Sequence, residues 1–354
     1  MQTAQRIMHF QESVIRKMTR LATEHQAINL SQGFPDFDPP LALKEAAAKA
    51  VMDGSNQYSP TWGHPHLRQK LAEQYTARLG WSVNPNDHVI VTCGVTEAIN
   101  AALLAVLNPG DELLIVEPAH ENYIPSAIFA GAKPVAVPLE APDYRLDPER
   151  LAHAVTSRTR ALLLNTPHNP TGRVFDAEEL ARVADLVLRH DLVLITDEIY
   201  DQIIYDGRQH IFPGSLESLR ERTITVGGLG KTFAITGWRL GYVIAPTRLT
   251  AQCRAFGQLA QRLFKILRRI DQGDDRVCFD AELFHERSAR VRSKARLWHD
   301  DIFQGMGHHA LQRAANPAPL GVDRVRQELL DARHLIGAAL DKDQRHVTRR
   351  LVLA

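Results

Sequence analysis

Lys231 lies in a glycine-rich bend, GGLGKTFAITGWRLGY (residues 227–242), and Arg239 follows it eight residues later. An amine held in apolar surroundings sheds its proton more readily and becomes a nucleophile toward an aldehyde. An arginine fork can grip an oxyanion through two parallel hydrogen bonds. Gly230-Lys231-Thr232 also looks like the end of a nucleotide-binding phosphate loop. That loop needs a glycine five residues before its Gly-Lys pair, so that backbone N–H groups wrap the phosphates. Thr225 stands there instead, inside an apolar run, and the nucleotide reading fails.

Three further places complete a chemical set. Gly94-Val95-Thr96 opens a helix, whose first free N–H groups favour an anion such as phosphate. Asp197 ends a buried run, where a carboxylate wants a cationic partner such as a protonated ring nitrogen. An aromatic ring at His120 or Tyr123 can stack on a planar ligand. Phosphate, ring nitrogen, aldehyde and stacking face together describe pyridoxal phosphate. Singly, each residue has a plainer role. Thr96 can be only a helix cap, Asn169 only a turn residue before Pro170, and His120 an exposed loop histidine. Cys93 reads as a small buried apolar side chain.

The elements that must position these groups are legible between residues 85 and 245. HVIVT (88–92), DELLIVE (111–117), ALLLN (161–165), LVLITD (192–197) and TITVG (223–227) are short, rich in Val, Ile and Leu, and lack polar alternation. Strands buried on both faces read this way. Between them, TEAINAALLAVLNPG (96–110) and DAEELARVADLVLRH (176–190) have helical spacing, the second with an Asp cap and an acidic first turn. The alternation predicts an α/β fold built on a mostly parallel, doubly wound sheet. Ligands of such sheets bind at the carboxyl ends of the strands. The polar and glycine-rich stretches fall at those ends, all expected on one edge.

GLGKTFAITGWRLG (228–241), NPTG (169–172) and TDEIYDQIIYDG (196–207) resemble three signatures of the class I pyridoxal-phosphate aminotransferases. SQGFPDF (31–37), NQYSPTWGHPHLR (56–68) and EPAHENY (117–123) resemble its methionine and kynurenine (glutamine-type) branch. The resemblance covers about residues 10–250. It implies that Lys231 forms the Schiff base and then shuttles the proton at the substrate's α-carbon. It implies that Asp197 pairs with the pyridine N–H, and that Tyr200 and Asn169 bond the ring's 3-oxygen. Gly94, Val95, Thr96 and Arg239 would hold the phosphate, and Tyr58 would reach the phosphate of a neighbouring subunit in a homodimer. His120 aligns with the ring-stacking position. Gly33, with Asn169, would meet the substrate carboxylate, and Trp62 would help form the side-chain pocket. Gly228 departs from a serine that the family often places there, at a cost near one hydrogen bond, roughly 1 kcal/mol.

The same resemblance implies transamination between an α-amino acid (methionine, glutamine, aromatic or kynurenine-like) and a 2-oxo acid. A C–S β-lyase is the alternative that uses the same cofactor site. The resemblance divides the chain into an arm with part of a small domain (1–40), a cofactor-binding major domain (41–250) and a divergent, atypical, helical segment (251–354). That last segment carries 19 basic and 13 acidic residues against 23 and 28 before it, and none of the seven tyrosines. Its origin reads as a shifted reading frame or a replaced small domain. The family's carboxylate-clamping arginine is not recognisable there; Arg349 and Arg350 in RRLVLA are the nearest candidates. Without such a clamp, a catalytically impaired relative is a second class of reading.

An amphipathic basic face over Arg254–Ile270 reads as a solvated face of a packed helix. His308-His309 do not share a helix face, so no metal is expected. A net charge of +1 gives no reason to expect a nucleic acid partner. No apolar run approaches eighteen residues, so no membrane span is expected. Three cysteines without CxxC spacing, and no signal-like N-terminus, make the cytoplasm the expected compartment.

Overall fold

The five apolar runs are strands of one seven-stranded sheet in a computed structural model, which describes residues 12–33, 35, 37–54 and 56–255. All of these belong to one compact unit of the chain. The strands are β1 (Val89–Cys93), β2 (Glu112–Glu117), β3 (Lys133–Pro138), β4 (Thr159–Asn165), β5 (Val193–Asp197), β6 (Thr223–Gly228) and β7 (Leu240–Ile244). Their order is β1-β7-β6-β5-β4-β2-β3. β7 runs antiparallel between β1 and β6, and the remaining pairs are parallel. The expected mostly parallel α/β sheet is therefore present. β3 and β7 add to the five expected strands.

Helices cover both faces. Among the described residues they include α1 (Val14–Glu24), α2 (Leu41–Met52), α3 (Pro65–Leu79), α4 (Gly94–Val106), α5 (Tyr123–Phe129), α6 (Pro148–His153), α7 (Ala177–Arg189) and α8 (Leu229–Thr232). Strand side chains alternate between faces, and the core divides accordingly. Leu113, Ile115, Leu163 and Ile195 pack with Ala98, Ala102 and Leu103 of α4 and Ala127 of α5. Leu114, Leu162, Leu164 and Leu194 pack with Leu180, Val183 and Val187 of α7. Tyr75 of α3 packs with Val89, Tyr242 and Ile244 near the β1 edge.

α7 starts as its sequence predicts. Asp176 accepts from the Glu179 N–H at 2.9 Å, and the Glu179 carboxylate accepts from the Asp176 N–H at 3.1 Å. This reciprocal pair satisfies two N–H groups that the helix leaves without internal partners. Among the described residues, no helix is long and apolar enough to cross a membrane, and no three His, Cys, Asp or Glu side chains gather as metal ligands. The divergent segment from residue 256 on, including the amphipathic face, His308-His309, Arg349 and Arg350, lies outside the described residues.

Candidate active site

The polar strand ends converge on one cavity of about 500 Å³. Ten of the expected site residues line it: Gly33, Gly94, Val95, Thr96, His120, Asn169, Asp197, Tyr200, Lys231 and Arg239.

β1 and α4 build an anion cradle. α4 begins directly at Gly94, with Cys93 as its N-cap and no capping side chain on its first turn. Thr92 Oγ1 donates to the Gly94 carbonyl at 3.0 Å, and the buried Glu97 carboxylate accepts from the Cys93 N–H. Gly94 has φ +72°, and a Cβ there would lie 2.5 Å from Arg239 Nη2. A left-handed φ and the missing Cβ together let the guanidinium sit on the helix start. Arg239 itself has φ +53° and donates to the Thr236 carbonyl at 3.3 Å. Helix dipole and guanidinium thus point one positive field at one place.

Gly228 is explained by packing. A Cβ at Gly228 would come within 2.9 Å of Val95 Cγ2, so the serine common in the family has no room beside Val95.

Asp197 ends β5 on the α4–α5 face and is only 3% exposed. Tyr123 Oη donates to its Oδ2 at 2.7 Å, and the Ile199 N–H donates to Oδ1 at 3.2 Å. Burial raises its carboxyl to about 6; these two hydrogen bonds oppose the rise and the neighbouring Glu198 charge adds to it. The same burial, with the Asp197 charge, raises the Tyr200 phenol to about 12.

Lys231, in the short α8, is half-buried. Its Nζ donates to the Gly33 carbonyl at 2.8 Å and lies 5.8 Å from the centroid of the Tyr200 ring. Burial first, then the charge of Arg239, depresses its pKa. His120 lies edge-on to Tyr123, with ring centroids 5.4 Å apart, and its Nε2 pairs with Asn122 Nδ2 at 3.3 Å. Burial lowers the His120 pKa, so the ring is neutral and available for stacking. Asn169 is set by its backbone N–H, which donates to Asn165 Oδ1 at 2.6 Å.

Two expected residues do not line the cavity. Trp62 carries its carbonyl to the Val91 N–H (3.0 Å), which holds it beside β1. There its ring is flanked by Arg254 at 5.2 Å and Arg68 at 5.8 Å. Tyr58 is 86% exposed.

Sequence reasoning missed Asn165, whose Nδ2 donates to the Asp197 carbonyl at 2.8 Å. The signal was available: a polar residue ending an otherwise apolar strand, as with Asp197. Of the two rings considered for stacking, His120 and Tyr123, Tyr123 donates its hydroxyl to Asp197, a contact the sequence does not reveal. Ser13, Arg16 and Gln32 also line the cavity. Ser13 reaches it by donating to Glu121 at 2.5 Å, a pairing across 108 residues that no local pattern encodes.

The sequence matches the family described as "Aminotransferase class I and II" over residues 25–342, past the point near residue 250 where the motifs fade. It is 43% identical over 259 residues to a probable N-succinyldiaminopimelate aminotransferase of Mycobacterium tuberculosis, covering 72% of this chain and 65% of that one. It is 43% identical over 255 residues to kynurenine–oxoglutarate transaminase 1 of Homo sapiens, covering 68% of this chain and 60% of that one. The chain thus spans under two thirds of the length of these relatives. Among solved structures, an Escherichia coli protein with a methionine aminotransferase function superposes with a TM-score of 0.70 at 35% identity, covering 73% of this chain and 68% of that one. The anion cradle, the buried carboxylate and the cavity lysine therefore stand in a member of the class I and II aminotransferases.

Proposed function

We propose that this chain transfers an amino group between an α-amino acid and a 2-oxo acid with pyridoxal phosphate, the cofactor of its family. The supporting observation is the joint placement of Lys231, Asp197 and the Gly94–Arg239 cradle around one cavity. The residues fit the cofactor. The space that a Cβ at Gly94 would take is given to the Arg239 guanidinium, and a buried carboxylate with a raised pKa awaits a cation.

Bound there, pyridoxal phosphate supplies an electron sink that acidifies the α-carbon of an attached amino acid. The N–H groups of Gly94, Val95 and Thr96 and the Arg239 fork would hold its phosphate. Asp197, aligned by Tyr123, would accept the N–H of a pyridinium and keep it charged, which a buried carboxylate does better than an exposed one. Tyr200 and Asn169 would hold the ring's 3-oxygen, and His120 would offer a stacking face; all three line the cavity. The Lys231 amine, its pKa lowered by burial, would act as the base that takes and holds the proton of the substrate's α-carbon. Gly33 and Asn169, both on the cavity wall, would meet the substrate carboxylate.

The substrate reading is a large neutral amino acid: methionine, glutamine, an aromatic residue or kynurenine. The kynurenine and methionine aminotransferases among the relatives support it. A cytoplasmic homodimer with Tyr58 reaching the partner's phosphate site completes the proposal, and the 86% exposure of Tyr58 is compatible with such a reach.

Absorbance of the purified full-length chain tests the reading. Added pyridoxal phosphate should give a near-ultraviolet or visible band that borohydride fixes covalently and that Lys231→Ala lacks. Methionine should then shift the band, with 2-oxo acid reversing the shift. A wild-type chain whose spectrum equals free cofactor would refute the proposal.

A further inference from the structure

Behind the cavity, on the opposite face of β5, lies a second buried polar group that the proposed chemistry does not use. Alternation along the strand sends Asp197 to the α4–α5 face, and Thr196 and Glu198 to the other. Glu198 is 1% exposed. One of its oxygens accepts from Thr196 Oγ1 at 2.6 Å, and the other pairs with His210 Nε2 at 2.7 Å. The Glu198 and His210 side chains are almost wholly buried. His210 packs edge-on against Phe212, with ring centroids 4.5 Å apart. Its Nδ1 is buried without a hydrogen-bond partner.

Three residues on, Asp201 is held in the same way. Arg78 of α3 pairs with its Oδ2 at 2.6 Å, and both side chains are largely buried. The backbone between the two anchored carboxylates is a tight turn: the Asp201 N–H donates to the Glu198 carbonyl at 3.1 Å, and the Glu198 N–H to the Val226 carbonyl at 2.8 Å. Ile199, whose N–H donates to the Asp197 carboxylate, and Tyr200 are the two residues inside it. Both ends of the turn are therefore pinned on the far face, and its middle serves the cavity.

We propose that His210 is a positioning residue for the candidate active site: by holding Glu198 behind the sheet it sets the 197–201 turn, and with it the Asp197 carboxylate and the Tyr200 phenol. A buried carboxylate cannot be left without a partner. With the imidazole removed, Glu198 must seek water or another donor, and the turn that carries it must follow. The anion cradle of Gly94 and Arg239 belongs to β1, α4 and the segment before β7, which this movement does not touch. The proposal rests on the cofactor reading above.

The test uses the full-length chain and two probes, pyridoxal phosphate and inorganic phosphate. Affinity for the first is read by quenching of intrinsic fluorescence, and for the second directly by calorimetric titration. His210→Leu should weaken pyridoxal phosphate binding about tenfold, the equivalent of one hydrogen bond to a charged group, and leave inorganic phosphate binding unchanged. His210→Gln, which retains an N–H donor, should recover most of the loss. Should His210→Leu fail to fold, Thr196→Val removes the other hydrogen bond to Glu198 and should show a smaller loss of the same kind. Wild-type affinity for pyridoxal phosphate in both His210→Leu and Thr196→Val would overturn the proposal. So would a parallel loss of both affinities, which reports collapse of the whole cavity. A wild-type chain that binds phosphate but not pyridoxal phosphate would overturn the cofactor reading and this proposal together.

Discussion

Asp197 has a measurable consequence for the protein without its cofactor. Burial raises its carboxyl from 3.8 to about 6, so the folded chain holds that proton more tightly than the unfolded chain. Between those values the folded state binds more protons, and stability falls as pH rises. The stabilisation present below pH 4 is lost by the time pH passes 6, a difference of about 3 kcal/mol. Urea unfolding of the cofactor-free chain should therefore show a downward slope from pH 4 to 7 that Asp197→Asn reduces by about that amount. Identical slopes in the two proteins would contradict it. Gly94 yields a second expectation. Alanine there meets both a left-handed φ and the Arg239 guanidinium. It should cost about 1–2 kcal/mol in urea unfolding. Inorganic phosphate affinity should fall with it, whereas a substitution at solvent-exposed Gly237, with nothing within 4 Å, should leave phosphate binding unchanged.

Among the elements, α7 shows how directly some structure is written in the chain. Asp176, three residues ahead of Glu179 and followed by an apolar period, predicts the capping box that forms. Asp176→Ala should lower stability by about 1 kcal/mol in urea unfolding, with cofactor affinity unchanged because α7 packs on the face away from the cavity. The five apolar strands were legible because strands buried on both faces need no polar alternation. β3 was not, because KPVAVP places two prolines in six residues, which only an edge strand tolerates. β7 was hidden inside a motif read for its chemistry, and Gly241 breaks its apolar run. The site divides in the same way. Residues at strand ends, Asp197 and Lys231 among them, follow from sheet topology. Asn165 carried the same strand-end signal and was passed over, whereas Ser13 and the Tyr123–Asp197 bond depend on contacts between distant segments. The bond that holds the Trp62 backbone beside β1 is of the same long-range kind, and the motif around Trp62 carries no information about it.

At the scale of the whole molecule, the described unit leaves large apolar side chains uncovered along its first sixty residues. Ile28 and Leu30 are 88% and 91% exposed, and Met52 is 84% exposed. Surface of that kind favours burial against another surface. The proposed homodimer would supply one, so the full-length chain should sediment at twice its chain mass, and Tyr58→Glu should shift it toward the monomer. A monodisperse monomer at micromolar concentration would remove the homodimer from the proposal. The hydrogen bond from Lys231 to the Gly33 carbonyl extends across 198 residues of sequence. It makes the amine of Lys231, the proposed nucleophile, a latch that fastens the arm before α2 to the floor of the cavity. An aldehyde that captures the amine must unfasten that latch. Amide hydrogen exchange across residues 29–33 should therefore quicken when pyridoxal phosphate is added, and should already be fast in Lys231→Ala. Loading could then be followed from the arm alone, with no substrate present.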